Sequence, residues 1–173
     1  VEIFALGVPV GLGSHVQWDR RIDGLIAQAM MSTHTVKSVE IGLGEEVGRI
    51  PGSQVHDQIY RAEDKKPLHY QRKTNNLGGT EGGMTTGDLI VVRAAMKPLA
   101  TLNKPTLETV DTATKESGVS FKERTDVTAV PAMGVVAETM VALVLATEAQ
   151  RKFGGDSMDE FVRNAEAFTA SLT

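Results

Sequence analysis

Between Lys73 and Gly87 the chain reads KTNNLGGTEGGMTTG, five glycines in fifteen residues, and DLIVVRAAMK follows without a break. That junction constrains the fold more than any compositional total. From Asp88 to Met96 the residues Ile90, Val92, Ala94 and Met96 alternate with Leu89, Val91 and Arg93, which predicts a buried strand. Glycines at such density serve a linker, a set of turns, or a backbone surface that approaches an anion without a Cβ in the way. The segment lacks the Gly-Lys-Ser/Thr ending of a P-loop and is not a Walker site. A hairpin or crossover and a ligand-contacting loop both remain open.

Around this junction the chain divides into strands first and helices last. Val1 to Val10 reads as one or two strands interrupted at Gly7 and Pro9. Asp19 to Met31 predicts an amphipathic helix, with Ile22, Leu25, Ile26, Ala29 and Met30 at helical spacing. Val36 to Gly42 predicts a short strand, and Gly44 to Pro67 a polar, irregular stretch turning at Pro51-Gly52. Leu107 to Asp111 and Val119 to Arg124 are weaker strands around a turn at Glu116 to Gly118. Val135 to Phe153 is apolar nearly all round in its first half, which predicts a buried central helix ending at Gly154-Gly155. Ser157 and Glu160 form a capping-box pattern for a last helix, whose buried face would carry Met158, Phe161, Val162, Ala165 and Phe168. This order predicts an α+β fold rather than a regular βα alternation.

A chain of 173 residues is long enough for one domain with a substantial core, and one domain is expected across 1–173. The opening VEIFALGVPVG has the character of a strand entered part-way, so an N-terminal portion of the domain is expected to be missing. A net charge of −4 argues against nucleic acid or an anionic membrane as the main partner. There is no cysteine, which excludes disulfides, thiolate catalysis and thiolate metal sites. The longest apolar run, near Val135 to Ala146, contains Glu138, and a cytoplasmic protein without a membrane span is expected.

Individual motifs leave their chemistry open. Gly42, Gly44 and Gly48 follow a strand, but Arg49-Ile-Pro-Gly52 cuts short the helix that a dinucleotide site needs, which favours a turn. Lys97, at the end of the apolar strand, is either a solvated lysine or a point charge for a phosphate. Arg124 and Asp126 form either a mutual ion pair or an anion clamp beside a proton acceptor. His15, His34, His56 and His69 lack metal-ligand spacing, and no metal site is expected.

Taken in order, GVPVGLGSHVQWDRRIDGLIAQAMMS, VKSVEIG, KTNNLGGTEGGMTTGD, VVRAAMKPLAT and RTDVTAVPAMGVVAETMVALVLA resemble the C-terminal half of the chorismate synthase family. The resemblance runs from about Leu6 to Phe153 and includes the family's Arg-x-Asp signature with a glutamate on the helix that follows. It implies a β-α-β sandwich subunit, a homotetramer, and a lyase that converts 5-enolpyruvylshikimate 3-phosphate to chorismate and phosphate with reduced FMN. NADPH as the source of flavin reduction stays open.

Carried over by position, the resemblance puts FMN contacts at His34, Thr35, Gly82, Lys97, Pro98, Leu99, Ala100, Thr101 and Arg124. Arg124 would also hold substrate phosphate, and Asp126 would assist proton transfer. The family's catalytic histidines belong to motifs that do not occur in this sequence, so the residues present are expected to be inactive alone. A flavin- or phosphate-binding module without catalysis is the alternative.

Overall fold

The computed structural model describes residues 1–65, 67–123 and 126–172. Its organising element is the strand that follows the glycine-rich run, β7 (Ile90–Met96), which is the middle of a three-stranded antiparallel sheet. On one side lies β1 (Glu2–Ala5), in register from Glu2 opposite Arg93 to Ala5 opposite Ile90. On the other lies β2 (Val36–Ile41), which pairs Val36 with Met96 and Ile41 with Val92, with a register shift between Val36 and Ser38. The alternation read from the sequence is realised: Ile90, Val92 and Ala94 are buried, and the sheet turns them toward the helices.

The helix α1 (Ile22–Met31) lays Ile22, Ile26 and Met30 on that face, a spacing of four residues that keeps them on one stripe. Residues Trp18–Arg20 form a separate 3-10 turn before it, so the helix predicted from Asp19 begins three residues later. Beside α1 runs α3 (Val130–Phe153), which contributes Met133, Ala137 and Val141 to the same core. The chain then reverses at Gly154, whose N–H donates to the Gln150 carbonyl at 2.8 Å, and α4 (Met158–Ala170) returns along α3. Phe153 sits between Phe161 and Phe168, with ring centroids 5.7 and 5.8 Å away.

Several predicted details differ in the structure. α3 starts five residues before Val135 and is not buried all round: Val135 is 65% exposed and Leu143 57%. Its apolar surface exceeds what the sheet, α1 and α4 cover. By length and composition α3 would pass for a membrane span, but its inner face packs against α1 and β1. In α4, Phe161, Ala165 and Phe168 face the core, while Met158 and Val162 point outward. The capping box forms with a changed partner. The Glu160 N–H donates to Ser157 Oγ at 3.3 Å, and the Glu160 carboxylate accepts from the Asp156 N–H at 2.7 Å.

The irregular stretch before the glycines contains a short helix α2 (Gly52–Val55) and a strand β3 (Ile59–Arg61), which pairs with β4 (Tyr70–Arg72). The glycine run itself is a hairpin, β5 (Thr80–Glu81) and β6 (Met84–Thr85), with Gly82 and Gly83 at φ of 60° and 85°. Positive φ at both central residues is what a type I′ hairpin turn demands, and it is why glycine stands at each. Farther on, β8 (Glu108–Val110) and β9 (Ser117–Val119) pair as a second hairpin. Its turn is at Asp111 to Glu116, where Asp111 accepts from the amides of Ala113 and Thr114, rather than at Glu116 to Gly118.

Candidate active site

Where β7 ends, the chain must leave the sheet, and Lys97-Pro98 fixes how it does so. The residue before a proline is held extended, and the Lys97 N–H donates to the Thr35 carbonyl at 2.7 Å, one residue beyond the last paired position of β7. Thr35 takes a left-handed φ of 71°, unusual for a β-branched residue. The predicted pair His34-Thr35 is therefore joined by backbone to the predicted run that starts at Lys97.

Beyond this point lies an open cleft of about 420 Å³. One wall is Met96, Lys97, Pro98, Leu99 and Thr101, continuing to Leu102 and Asn103; the other is Asp126 to Val130, the approach to α3. Lys97 and Asp126, singled out from the sequence for cation and proton acceptor, thus face one space. The start of α3 adds its own polarity, because the first amides of a helix carry partial positive charge toward whatever lies before them. Thr128 Oγ1 accepts from the Val130 N–H at 3.2 Å and so shapes that start. Pro98 and Leu99 give the cleft an apolar side, and Asn103 and Thr128 are lining residues that the motif reading did not include. Arg124 lies outside the described residues. Ala100 is exposed beside the cleft and is not part of its lining.

Gly82 is placed elsewhere in this chain. Its hairpin sits against the beginning of α1, where the Ile22 N–H donates to the Gly83 carbonyl at 2.9 Å. Thr85 ties the same hairpin to the preceding chain, accepting from the Leu12 N–H at 2.9 Å and donating to the Pro9 carbonyl at 2.5 Å. Lys97 leaves the opposite end of β7, so the strand's length separates the glycine loop from the Lys97 cleft.

The glycine loop has an organiser that sequence reasoning passed over. Asp57 accepts from the Thr74 hydroxyl at 2.6 Å and from the N–H groups of Asn76 and Leu77 at 2.7 and 3.0 Å. Partial burial pushes its carboxyl upward, but these hydrogen bonds, with the charge of Arg72, hold it below the ordinary aspartate range. Asn75 continues the scaffold, donating to the Leu89 carbonyl at 2.7 Å and accepting from the Gly79 N–H at 2.8 Å. Gly42, which the sequence offered as part of a dinucleotide motif, belongs to the same scaffold. A Cβ there would fall 2.3 Å from the Asn76 carbonyl and 2.6 Å from the Gly78 nitrogen. A 3-10 turn from Gly44 to Arg49 occupies the place of the helix that a dinucleotide site needs.

The chorismate synthase family model matches residues 1–149. The chain belongs to the chorismate synthase family. It is 59% identical over 167 residues to the chorismate synthase of Aquifex aeolicus and 56% identical over 168 residues to that of Syntrophotalea carbinolica. These alignments take in 96% and 97% of this chain but 41% and 42% of the relatives. A crystal structure of chorismate synthase superimposes with a TM-score of 0.80 at 50% identity, covering 99% of this chain and 43% of the other. The chain thus spans less than half the length of the chorismate synthases it matches, and its α+β architecture is that of the family.

Proposed function

We propose that these residues supply the Lys97–Asp126 side of the active site of a chorismate synthase and form the C-terminal half of its subunit. The reaction is the 1,4-elimination of phosphate from 5-enolpyruvylshikimate 3-phosphate, giving chorismate. The observation that carries this reading is the shared cleft of Lys97, Asp126 and the start of α3 in a chain of this family.

The elimination breaks one C–O bond to phosphate and one C–H bond. Lys97 and the positive end of α3 are suited to negative charge that grows on the departing phosphate, and a fixed cation acts there without reorganising solvent. Asp126 is suited to accept a proton at its carboxylate oxygens. Arg124, two residues earlier in the sequence, is the second cation that the family resemblance assigns to flavin and substrate.

The cleft suits the family's cofactor. Its size lies within the ordinary range for small-molecule sites, Pro98 and Leu99 offer an apolar surface for a ring, and Lys97 offers charge for a phosphate. When bound, reduced FMN supplies an electron-rich ring that eases loss of the substrate's C–O bond. His34, Thr35, Ala100 and Thr101 would contribute mainly through backbone, whereas Gly82, a strand's length from this cleft, would meet a flavin only if the assembled enzyme brings its loop to one. The same resemblance carries a homotetramer, a cytoplasmic location and a choice between NADPH and an outside source for flavin reduction.

The test is chorismate formation under anaerobic conditions with reduced FMN. The 173-residue chain alone is expected to be inactive. The same chain joined to the remainder of a chorismate synthase is expected to turn over. An assembled, folded enzyme that binds FMN yet releases no phosphate would favour a binding module instead.

A further inference from the structure

We propose that Arg72 is the positioning residue of the glycine loop: its guanidinium closes the neck of the loop and sets where Gly82 stands for the flavin. This inference rests on the reading of Gly82 as a flavin contact in the assembled enzyme.

Arg72 is the last residue of β4, and its side chain is only 10% exposed. Its Nη2 donates to Glu81 Oε2 at 2.9 Å, and its Nη1 donates to Asp88 Oδ2 at 3.0 Å. Glu81 immediately precedes Gly82, and Asp88 stands just before β7. The two prongs of one planar fork therefore grip the chain on both sides of the glycine turn. The Thr86 hydroxyl donates to the same Asp88 oxygen at 3.0 Å, so the outgoing side of the neck is fixed twice.

The two arms of the hairpin are held by different means. β6 is bound to the preceding chain through main chain: the Gly11 N–H donates to the Thr85 carbonyl at 2.8 Å, and the Thr85 N–H donates to the Leu12 carbonyl at 3.0 Å. On β5, the arm that leads into Gly82, the outside tie nearest the tip is the Arg72–Glu81 pair. A two-stranded hairpin this short is marginal by itself, and glycines at its turn add freedom rather than direction. Arg72 supplies the direction.

Arg72 acts through the hairpin and not by meeting an anion itself. One guanidinium faces two carboxylates, so the cluster carries a net negative charge and has no cation to spare for a phosphate. The nearby pair of Arg61 and Glu63 shows the contrast. Those side chains are 84% and 67% exposed, and the pair lies within the β3–β4 hairpin.

The experiment follows oxidised FMN binding by stopped-flow flavin fluorescence, in this chain joined to the remainder of a chorismate synthase. Arg72→Met should lower the affinity about 10-fold, as for a loop that is in place about a tenth of the time. The loss should fall on the association rate and leave dissociation near native, because the bound loop keeps its contacts. Amide exchange should quicken from Glu81 to Thr85 and stay unchanged from Ile90 to Met96. Glu81→Ala, at a half-exposed side chain, should do the same, and it decides the matter if Arg72→Met does not fold. Arg61→Met should change neither reading.

Faster exchange with native FMN binding would make Arg72 purely structural and overturn the proposal. So would an affinity loss carried by dissociation, the mark of a direct contact, or unchanged exchange in both variants. Gly82→Ala in the same enzyme separates this proposal from the reading beneath it. An affinity loss there, with none in Arg72→Met and Glu81→Ala, sinks the role of Arg72 alone. No loss in Gly82→Ala removes Gly82 from the flavin site and overturns both.

Discussion

The Lys97 amide and the Thr35 carbonyl are hydrogen-bonded at 2.7 Å, which fastens the exit of β7 to the entrance of β2. The bond is between main-chain groups, so the Lys97 side chain is left to the cleft. Lys97→Ala should therefore leave thermal stability within about 0.5 kcal/mol, as for a surface substitution. Flavin or substrate affinity in the assembled enzyme should fall about 10–100-fold, the loss of one charge-assisted bond. Calorimetric titration beside a melting curve separates the two. A large stability loss with unchanged affinity would make Lys97 structural.

Asp126→Asn keeps the shape of the side chain and removes its basicity. In the assembled enzyme kcat should fall by about 10²–10⁴, the usual range for a lost general base, while flavin affinity changes little. Parallel losses in turnover and in FMN binding would assign Asp126 to architecture instead.

Two glycines in the left-handed region should respond differently to alanine. At Gly42, with φ of 61°, the new Cβ would collide with main chain of Asn76 and Gly78. Gly42→Ala should destabilise by more than the ~1–2 kcal/mol that a left-handed alanine costs by itself. At Gly82, with φ of 60°, nothing among the described residues lies within 4 Å of where an alanine Cβ would stand. Gly82→Ala should cost only that conformational term, leaving a folded chain in which any drop in FMN affinity reports contact with the cofactor. An unchanged affinity would remove Gly82 from the flavin site.

Asp57 gives the fold an acid-sensitive joint. Its folded pKa lies below the unfolded value because the Thr74, Leu77 and Asn76 donors outweigh partial burial. The unfolded chain therefore binds the proton more readily as pH falls. The stabilisation is complete above the ordinary aspartate pKa of about 4 and is lost as pH drops through the folded value. Asp57→Ala should lower stability near neutrality by about 1.5–3 kcal/mol, typical of hydrogen bonds to a charged acceptor. It should also flatten this part of the acid limb in denaturant titrations run at a series of pH values. A variant with the same acid limb as the native chain would show that the carboxylate plays no such part.

The strand at Ile90, the α1 stripe of Ile22, Ile26 and Met30, and the α4 cap at Ser157 were legible because each is local. Alternation, a four-residue spacing, or a cap and its donor all lie within one element. Asp57 was not legible, since its donors are 17 to 20 residues away and HDQIY carries no sign of them. The exposure of α3 was misread for a different physical reason. An apolar helix reports how much surface wants cover, whereas the chain's own elements cover only the side with Met133, Ala137 and Val141. The cleft was legible in its residues but not in its outline, because Asn103 and Thr128 become neighbours of Lys97 only when the start of α3 is set against the end of β7. The place of Gly82, at the other end of that strand, was hidden by its nearness in sequence.

β7 bears on how such a chain can change over time. Its flanks are fixed from both sides, by Asn75 gripping the Leu89 carbonyl and by Thr35 gripping the Lys97 amide. Inserting or deleting one residue between those grips would turn Ile90, Val92 and Ala94 to the wrong side or tear one grip loose. The count from Leu89 to Lys97 is therefore a ruler that drift cannot rewrite in single steps. Variation in length should collect instead in the turn that joins β3 to β4 and in the β8–β9 hairpin, where no strand has to keep step.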